Sequence, residues 1–157
     1  MLFAPTPAER RARARADLRL GLPVAVVSDG AAALAVSAET LTARRLAELR
    51  EAGTPVLAVS ARRAATLKAR AYDGDLARIE LPAGADLMWV RAVADPSADL
   101  ATPLKGPFTT RRDEGADLHR AALVLAKEAR LLPAVLVLPL EGGREAARAA
   151  DLTVLDL

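Results

Sequence analysis

Three runs of consecutive apolar residues constrain this chain more than any other feature: Val24-Ala-Val-Val27, Pro55-Val-Leu-Ala-Val59 and Ala134-Val-Leu-Val-Leu138. Each is too short for a helix that buries itself on all sides, and none carries a polar residue to turn towards water. They therefore read as strands covered on both faces. Helical spacing lies between them. Pro7 opens a helix to about Leu20, stopped by Gly21 and Pro23; Leu41, Leu46, Leu49 and Ala52 share one face of a second, with Thr40 or Thr42 as its cap and Gly53 as its stop. Ser60 caps a third to about Ala71, and Gly115 to Arg130 forms the strongest, with Leu118, Ala122, Leu125 and Ala129 on one side.

The remaining segments fill in a sheet. Asp29-Gly30 makes a tight turn that pairs the first strand with Ala33–Ser37 as a hairpin. Ala77–Leu81 alternates weakly, Leu87–Val93 reads as a further strand, and Leu152–Leu155 closes the chain. Tyr72–Asp75 and Gly142-Gly143 read as turns, and Asp95–Thr110, with Pro96, Pro103 and Pro107, as a long loop. Alternating strands and helices predict a single α/β domain over residues 1–157, with a largely buried, mixed or parallel sheet and helices on both faces.

Composition narrows the chemistry. Cysteine is absent, which removes disulfides, thiolate nucleophiles and every cysteine-based zinc or iron–sulfur site, and fits a cytoplasmic location. The longest apolar run, Leu131–Leu140, falls well short of the ~20 residues that span a bilayer, so no membrane partner is expected. Aromatics make up 3% of the chain, which leaves Trp89 and Phe108 as scarce large groups that could anchor an interface from the proline-rich side. Arg10, Arg11, Arg13, Arg15 and Arg19 crowd the first helix. Without interleaved aromatics they read as a solvated face, the alternative being a nucleic-acid module that grips phosphates.

No residue pattern adds up to a catalytic site. His119 is the single histidine, and its place between Leu118 and Arg120 on a helix predicts a surface side chain. Ser28, Ser37, Ser60 and Ser97 lie in no nucleophile-elbow context, and the nine glycines form neither a Walker loop nor a dinucleotide fingerprint. The pairs Asp73/Asp75 and Asp113/Glu114 offer carboxylates to a magnesium ion, but turn chemistry and helix N-terminal charge account for both. Gly142-Gly143 before a short helix is read as a plain turn in preference to an anion site.

The order of the pieces nevertheless resembles a known family. Pro23-Val-Ala-Val-Val-Ser-Asp29, Ala38-Glu-Thr-Leu-Thr42, Val59-Ser-Ala-Arg-Arg-Ala-Ala-Thr-Leu67 and Leu132-Pro133-Ala-Val-Leu-Val-Leu-Pro-Leu140 are similar, in sequence and spacing, to 3,4-dihydroxy-2-butanone-4-phosphate synthase. The resemblance covers roughly residues 8–140. It implies a three-layer α/β fold with a mixed sheet flanked by helices, a homodimer, and a magnesium-dependent lyase reaction of riboflavin biosynthesis. In that family the chemistry rests on an acidic loop between the first two strands and on a Gly-His-Thr-Glu segment entering a late helix.

Here the loop has shrunk to Ser28-Asp-Gly-Ala-Ala-Ala33, keeping Asp29 alone, and Asp117-Leu118-His119 stand near the late-helix positions. Asp29, Asp117 and His119 are thus the candidates should the chain be a divergent active lyase. Otherwise no catalytic, cofactor-binding or metal residue is carried over. The shortened hairpin and the Ala/Arg richness resemble more closely the degenerate synthase-like domain that precedes GTP cyclohydrolase II in some bacterial proteins. That resemblance implies a non-catalytic N-terminal domain whose partner is a cyclohydrolase domain, in the same chain or another. The family's zinc is then expected only in that catalytic domain.

Overall fold

Thr6 starts the first helix, α1 (Pro7–Arg19), with a capping box. Its hydroxyl accepts from the Glu9 N–H, while the Glu9 carboxylate accepts from the Thr6 N–H at 2.7 Å. The helix ends where the sequence predicts. Gly21 has φ +80°, and a Cβ there would come within 2.8 Å of the Thr40 carbonyl oxygen, so only glycine fits the exit. The computed structural model describes residues 1–103, 105–113 and 115–157.

Six strands follow in one mixed sheet: β1 (Val24–Ser28), β2 (Ala31–Ser37), β3 (Val56–Ser60), β4 (Leu76–Glu80), β5 (Ala134–Pro139) and β6 (Val154–Asp156). Their spatial order is β4-β3-β5-β2-β1-β6. Only β1 and β6 run parallel; every other pair is antiparallel, including the β1–β2 hairpin, in which Ser28 faces Ala31 across Asp29-Gly30. The expected mixed, three-layer architecture is therefore present.

Alternation along the strands sends side chains into two cores. On one face, Leu18 of α1 and Ala122, Leu125 and Ala126 of α5 (Asp117–Glu128) cover Val24, Val26, Ala35, Val135 and Val137. On the other, Leu46 and Leu49 of α2 (Ala43–Ala52) and Ala64 of α3 (Ala61–Leu67) cover Val36, Leu57, Val59 and Leu136. The strand residues are at or near complete burial, each large aliphatic contributing about 1.5–3 kcal/mol. Thr42, not Thr40, caps α2, and Ser60 caps α3 as predicted. Helix α3 stops at Leu67, short of Ala71, because Lys68 turns left-handed at φ +58°. The last helix, α6 (Gly143–Ala149), follows the left-handed Gly142, and Arg144 pairs with Asp156 of β6.

One element departs from the sequence expectation. Leu87–Val93 is not a strand but lies within a helix, α4 (Leu87–Ala94). The Asp86 carboxylate accepts from the Trp89 N–H at 2.9 Å, an N-cap that starts a helix on a β-branched apolar stretch. Val90, Val93 and Ala94 then fall at helical spacing on the face buried beside α2 and α3, while Met88 is left 77% exposed. Trp89 and Phe108, the candidate interface anchors, pack edge to face against this second core, ring centroids 6.1 Å apart, and stay half-buried.

Candidate functional site

Asp29 sits at the tip of the β1–β2 hairpin, exposed to solvent. The two-residue turn needs a left-handed second position, which Gly30 supplies at φ +80°. An open cleft of about 430 Å³ lies between this hairpin and Gly143, Arg144, Asp156 and Leu157. Arg144 and Asp156 neutralise one another across it, and Asp156 is held below its ordinary carboxylate value by that pairing. Ala31 and Ala32 line the same cleft and offer no oxygen ligand from their side chains. Asp29 is therefore the one unpaired charge at this mouth among the described residues.

His119 lies elsewhere. It occupies the first turn of α5, whose start is anchored over the β4 edge by the Arg120 fork onto Asp75, at 2.6 and 2.9 Å. The expected surface histidine is in fact largely buried, and its Nδ1 has neither solvent nor, among the described residues, a hydrogen-bond partner. Burial, with Arg78 and Arg111 nearby, pushes its pKa from 6.5 down to about 4, so the ring is neutral at physiological pH. Asp73 and Asp113 oppose this shift and do not outweigh it.

The centre of this cluster is Arg78, which sequence reading passed over. Leu76 packs in the α5-side core and Ala77 and Ile79 in the other, so the strand alternation sends Arg78 towards α5. It is 2% exposed. Its guanidinium forks onto Asp73 at 2.9 and 3.1 Å and also donates to the Asp113 carbonyl. The segment after the proline-rich loop runs along the same edge, Arg111 N–H donating to the Arg78 carbonyl and Glu80 N–H to that of Thr109.

Strand register fixes how far apart the two places are. Arg78 pairs with Ala58, Ala58 with Val135, and Val135 with Ser37 of β2. The hairpin tip is six residues further along β2, beyond Ala31. Three strand spacings and six residue rises separate Arg78 from that tip by on the order of 25 Å. Asp117 lies in the first turn of α5 like His119, but is exposed and paired with Arg120 at 2.8 Å. A single chain thus brings Asp117 and His119 to one helix end and leaves Asp29 across the sheet.

The magnesium ion of the resembled synthase does not fit these residues. Among the described residues no three of His, Cys, Asp and Glu converge as a metal site. Asp73 and Asp75 diverge to Arg78 and Arg120, each already in a two-point pair. Glu114 of the Asp113/Glu114 pair lies outside the described residues.

The arginines of α1 also differ from expectation. Arg11 forks onto Glu128 of α5 at 2.7 and 2.8 Å, Arg15 approaches the same carboxylate at 3.7 Å, and Arg19 donates to the Ala129 carbonyl. They staple α1 to α5; Arg13 remains on the solvated face.

These features define a class. The fold is that of 3,4-dihydroxy-2-butanone 4-phosphate synthase. A cation-free synthase structure superposes with a TM-score of 0.66, at 18% identity over 92% of this chain and 91% of that one. A two-domain synthase from A. baumannii gives 0.69 at 16% identity, over 94% of this chain and 55% of that one. The Candida albicans enzyme gives 0.64 at 18% identity, over 92% of each. In sequence, the chain is similar to GTP cyclohydrolase-2 of Azospirillum brasilense, 36% identical over 131 residues, or 81% of this chain and 34% of that protein. The chain thus spans about a third of the length of that curated relative. No family model matches it. Among the described residues no helix is long and apolar enough to cross a membrane.

Proposed function

We propose that this chain is a non-catalytic synthase-like domain, the N-terminal part of a cytoplasmic GTP cyclohydrolase II-type protein of riboflavin biosynthesis. Its role is docking, dimerisation or modulation of the catalytic domain. The observation that carries the reading is the hairpin: Ala31, Ala32 and Ala33 stand where the resembled lyase has charged side chains, and Asp29 is left alone on the order of 25 Å from the neighbourhood of Arg78 and His119. A base that takes a proton from carbon must come within ~3 Å of it in the complex, and among the described residues of one chain no histidine lines the hairpin cleft.

The zinc and the guanine nucleotide chemistry then belong to the cyclohydrolase domain, in cis or in trans. The twofold dimer is part of this proposal, since isologous pairs are the commonest way such domains associate. Light scattering at micromolar concentration, with cyclohydrolase turnover measured with and without this domain, tests it. Dimers together with a changed turnover or oligomeric state on removing the domain support the role. A monomeric domain whose removal changes neither would contradict it.

One observation favours the divergent-lyase alternative. The buried Nδ1 of His119, unpartnered among the described residues, is a polar group that a substrate could satisfy. Formate release from ribulose 5-phosphate decides between the two.

A further inference from the structure

The two edges of the sheet differ. At β4 the outer side is covered: Ile79 bridges to Thr110, the Glu80 N–H donates to the Thr109 carbonyl at 2.8 Å and the Arg111 N–H to that of Arg78 at 2.9 Å. At the other end β6 pairs with β1 alone. An uncovered strand edge is a row of backbone donors and acceptors that another chain can extend.

The ladder shows which groups are open. In a parallel pair, alternate residues turn their N–H and C=O towards the partner strand. The Ala25 N–H donates to the Thr153 carbonyl at 2.9 Å and the Leu157 N–H to the Val27 carbonyl at 3.0 Å, so Thr153, Leu155 and Leu157 face β1. Val154 and Asp156 face outwards, and among the described residues no acceptor meets their N–H groups. Side chains alternate between the two faces of the sheet. Leu155 is 6% exposed in the core under α1 and α5, whereas Asp156 points to the α6 face, where Arg144 pairs with it.

The charge around this edge is lopsided. Asp156 is the carboxylate of the strand, and Arg144 already neutralises it. Arg10 of α1 and Arg148 of α6 lie close enough to help Arg144 lower its pKa, yet among the described residues neither has a salt bridge of its own. One guanidinium thus stands on the α1 face of the open edge and another on the α6 face. A second copy of this chain would bring the same arginines to the same edge, which like-charge repulsion opposes. A strand with acidic side chains would place carboxylates against them instead. The backbone alone contributes little, ~0.5–1.5 kcal/mol net per hydrogen bond, so the arginines decide which segment stays.

We propose that the outer edge of β6 is a docking edge for an extended, acidic segment of a partner protein. The segment adds to the sheet as a further strand through Val154 and Asp156, and Arg10 and Arg148 hold its carboxylates. This does not depend on whether the domain is catalytic.

Amide hydrogen exchange resolved by NMR tests the edge, with the peptide Val-Glu-Val-Glu-Val-Glu and its lysine counterpart Val-Lys-Val-Lys-Val-Lys as probes. In the free chain the Val154 and Asp156 N–H groups should exchange fast and that of Leu155 slowly. The acidic peptide should slow the first two about tenfold, and the lysine peptide should leave them unchanged. Arg10→Glu and Arg148→Glu should each weaken binding of the acidic peptide about tenfold. Val154→Pro removes an outward donor that the β1 ladder does not use, so it should abolish peptide protection at Asp156 while the amides of β1 and β2 stay protected. Slow exchange at Val154 and Asp156 in the free chain, no protection by the acidic peptide, equal binding of the two peptides, or indifference to both charge reversals would overturn the inference. So would a dimer that Val154→Pro dissolves, which would give the edge to a second copy. If Val154→Pro does not fold, the two charge reversals decide.

Discussion

The Arg78 guanidinium and the Asp73 carboxylate, five residues apart in sequence, form a nearly buried two-point pair at 2.9 and 3.1 Å where the turn before β4 folds back on the strand. Removing one member of such a pair leaves the other desolvated and unpaired, which costs about 3–5 kcal/mol. Asp73→Asn should therefore lower the unfolding free energy by about that much in urea titrations. A change below about 1 kcal/mol would show that water or Asp113 replaces the lost partner.

His119 sets a pH dependence whose sign follows from its lowered pKa. The unfolded ring takes a proton near 6.5 and the folded one only near 4, so the folded state favours the neutral ring. Stability from this group is complete above pH 6.5, falls as pH drops towards 4, and levels off below, a total of about 3 kcal/mol. The cationic groups facing it are Arg78 of β4 and Arg111 of the edge segment, with Asp73 and Asp113 opposing. Chemical denaturation of the wild type and of His119→Gln between pH 7 and 4 isolates the effect. The two curves should converge as pH falls; parallel curves would contradict the assignment.

Arg11 and Arg13 separate the stapling and solvated faces of α1. The Arg11–Glu128 pair is about a third exposed on both sides, so Arg11→Ala should cost no more than ~1 kcal/mol. Arg13→Ala should stay within ~0.5 kcal/mol. Thermal melts should register the first as a drop of about 2–4 °C at most. A larger loss at Arg13 would mean that it has a partner not seen here.

The helical state of Leu87–Ala94 depends on Asp86. Asp86→Ala removes the acceptor of the Trp89 N–H and should destabilise the domain by about 1 kcal/mol, as other N-cap losses do. An unchanged midpoint would mean that tertiary packing of Val90 and Val93 alone holds α4.

That helix marks the limit of what the sequence discloses. Strands β1, β3 and β5 and the caps Ser60 and Thr42 are legible because burial on both faces leaves apolar runs, and because cap chemistry is local. Leu87–Val93 misleads because it is apolar but for Arg91, so its period is hidden, and the helix start is marked by Asp86. The long-range ion pairs are invisible for another reason. Arg63 finds Asp99 across 36 residues, and Arg120 finds Asp75 across 45, so no window of sequence holds both partners. His119 is misread for the same cause, since the groups that bury it come from β4 and the edge segment. The alanine-filled hairpin was legible outright, because Asp29-Gly30 fixes the turn and the neighbours are read directly.

On the proposed non-catalytic reading the hairpin and the start of α5 form no lyase site, and formate release is the measurement that decides. Incubated with ribulose 5-phosphate and Mg²⁺ or Mn²⁺, the domain should release formate at the background rate, and calorimetry should show no saturable heat. Turnover above background that Asp29→Ala or His119→Ala abolishes would contradict the account and restore the active enzyme.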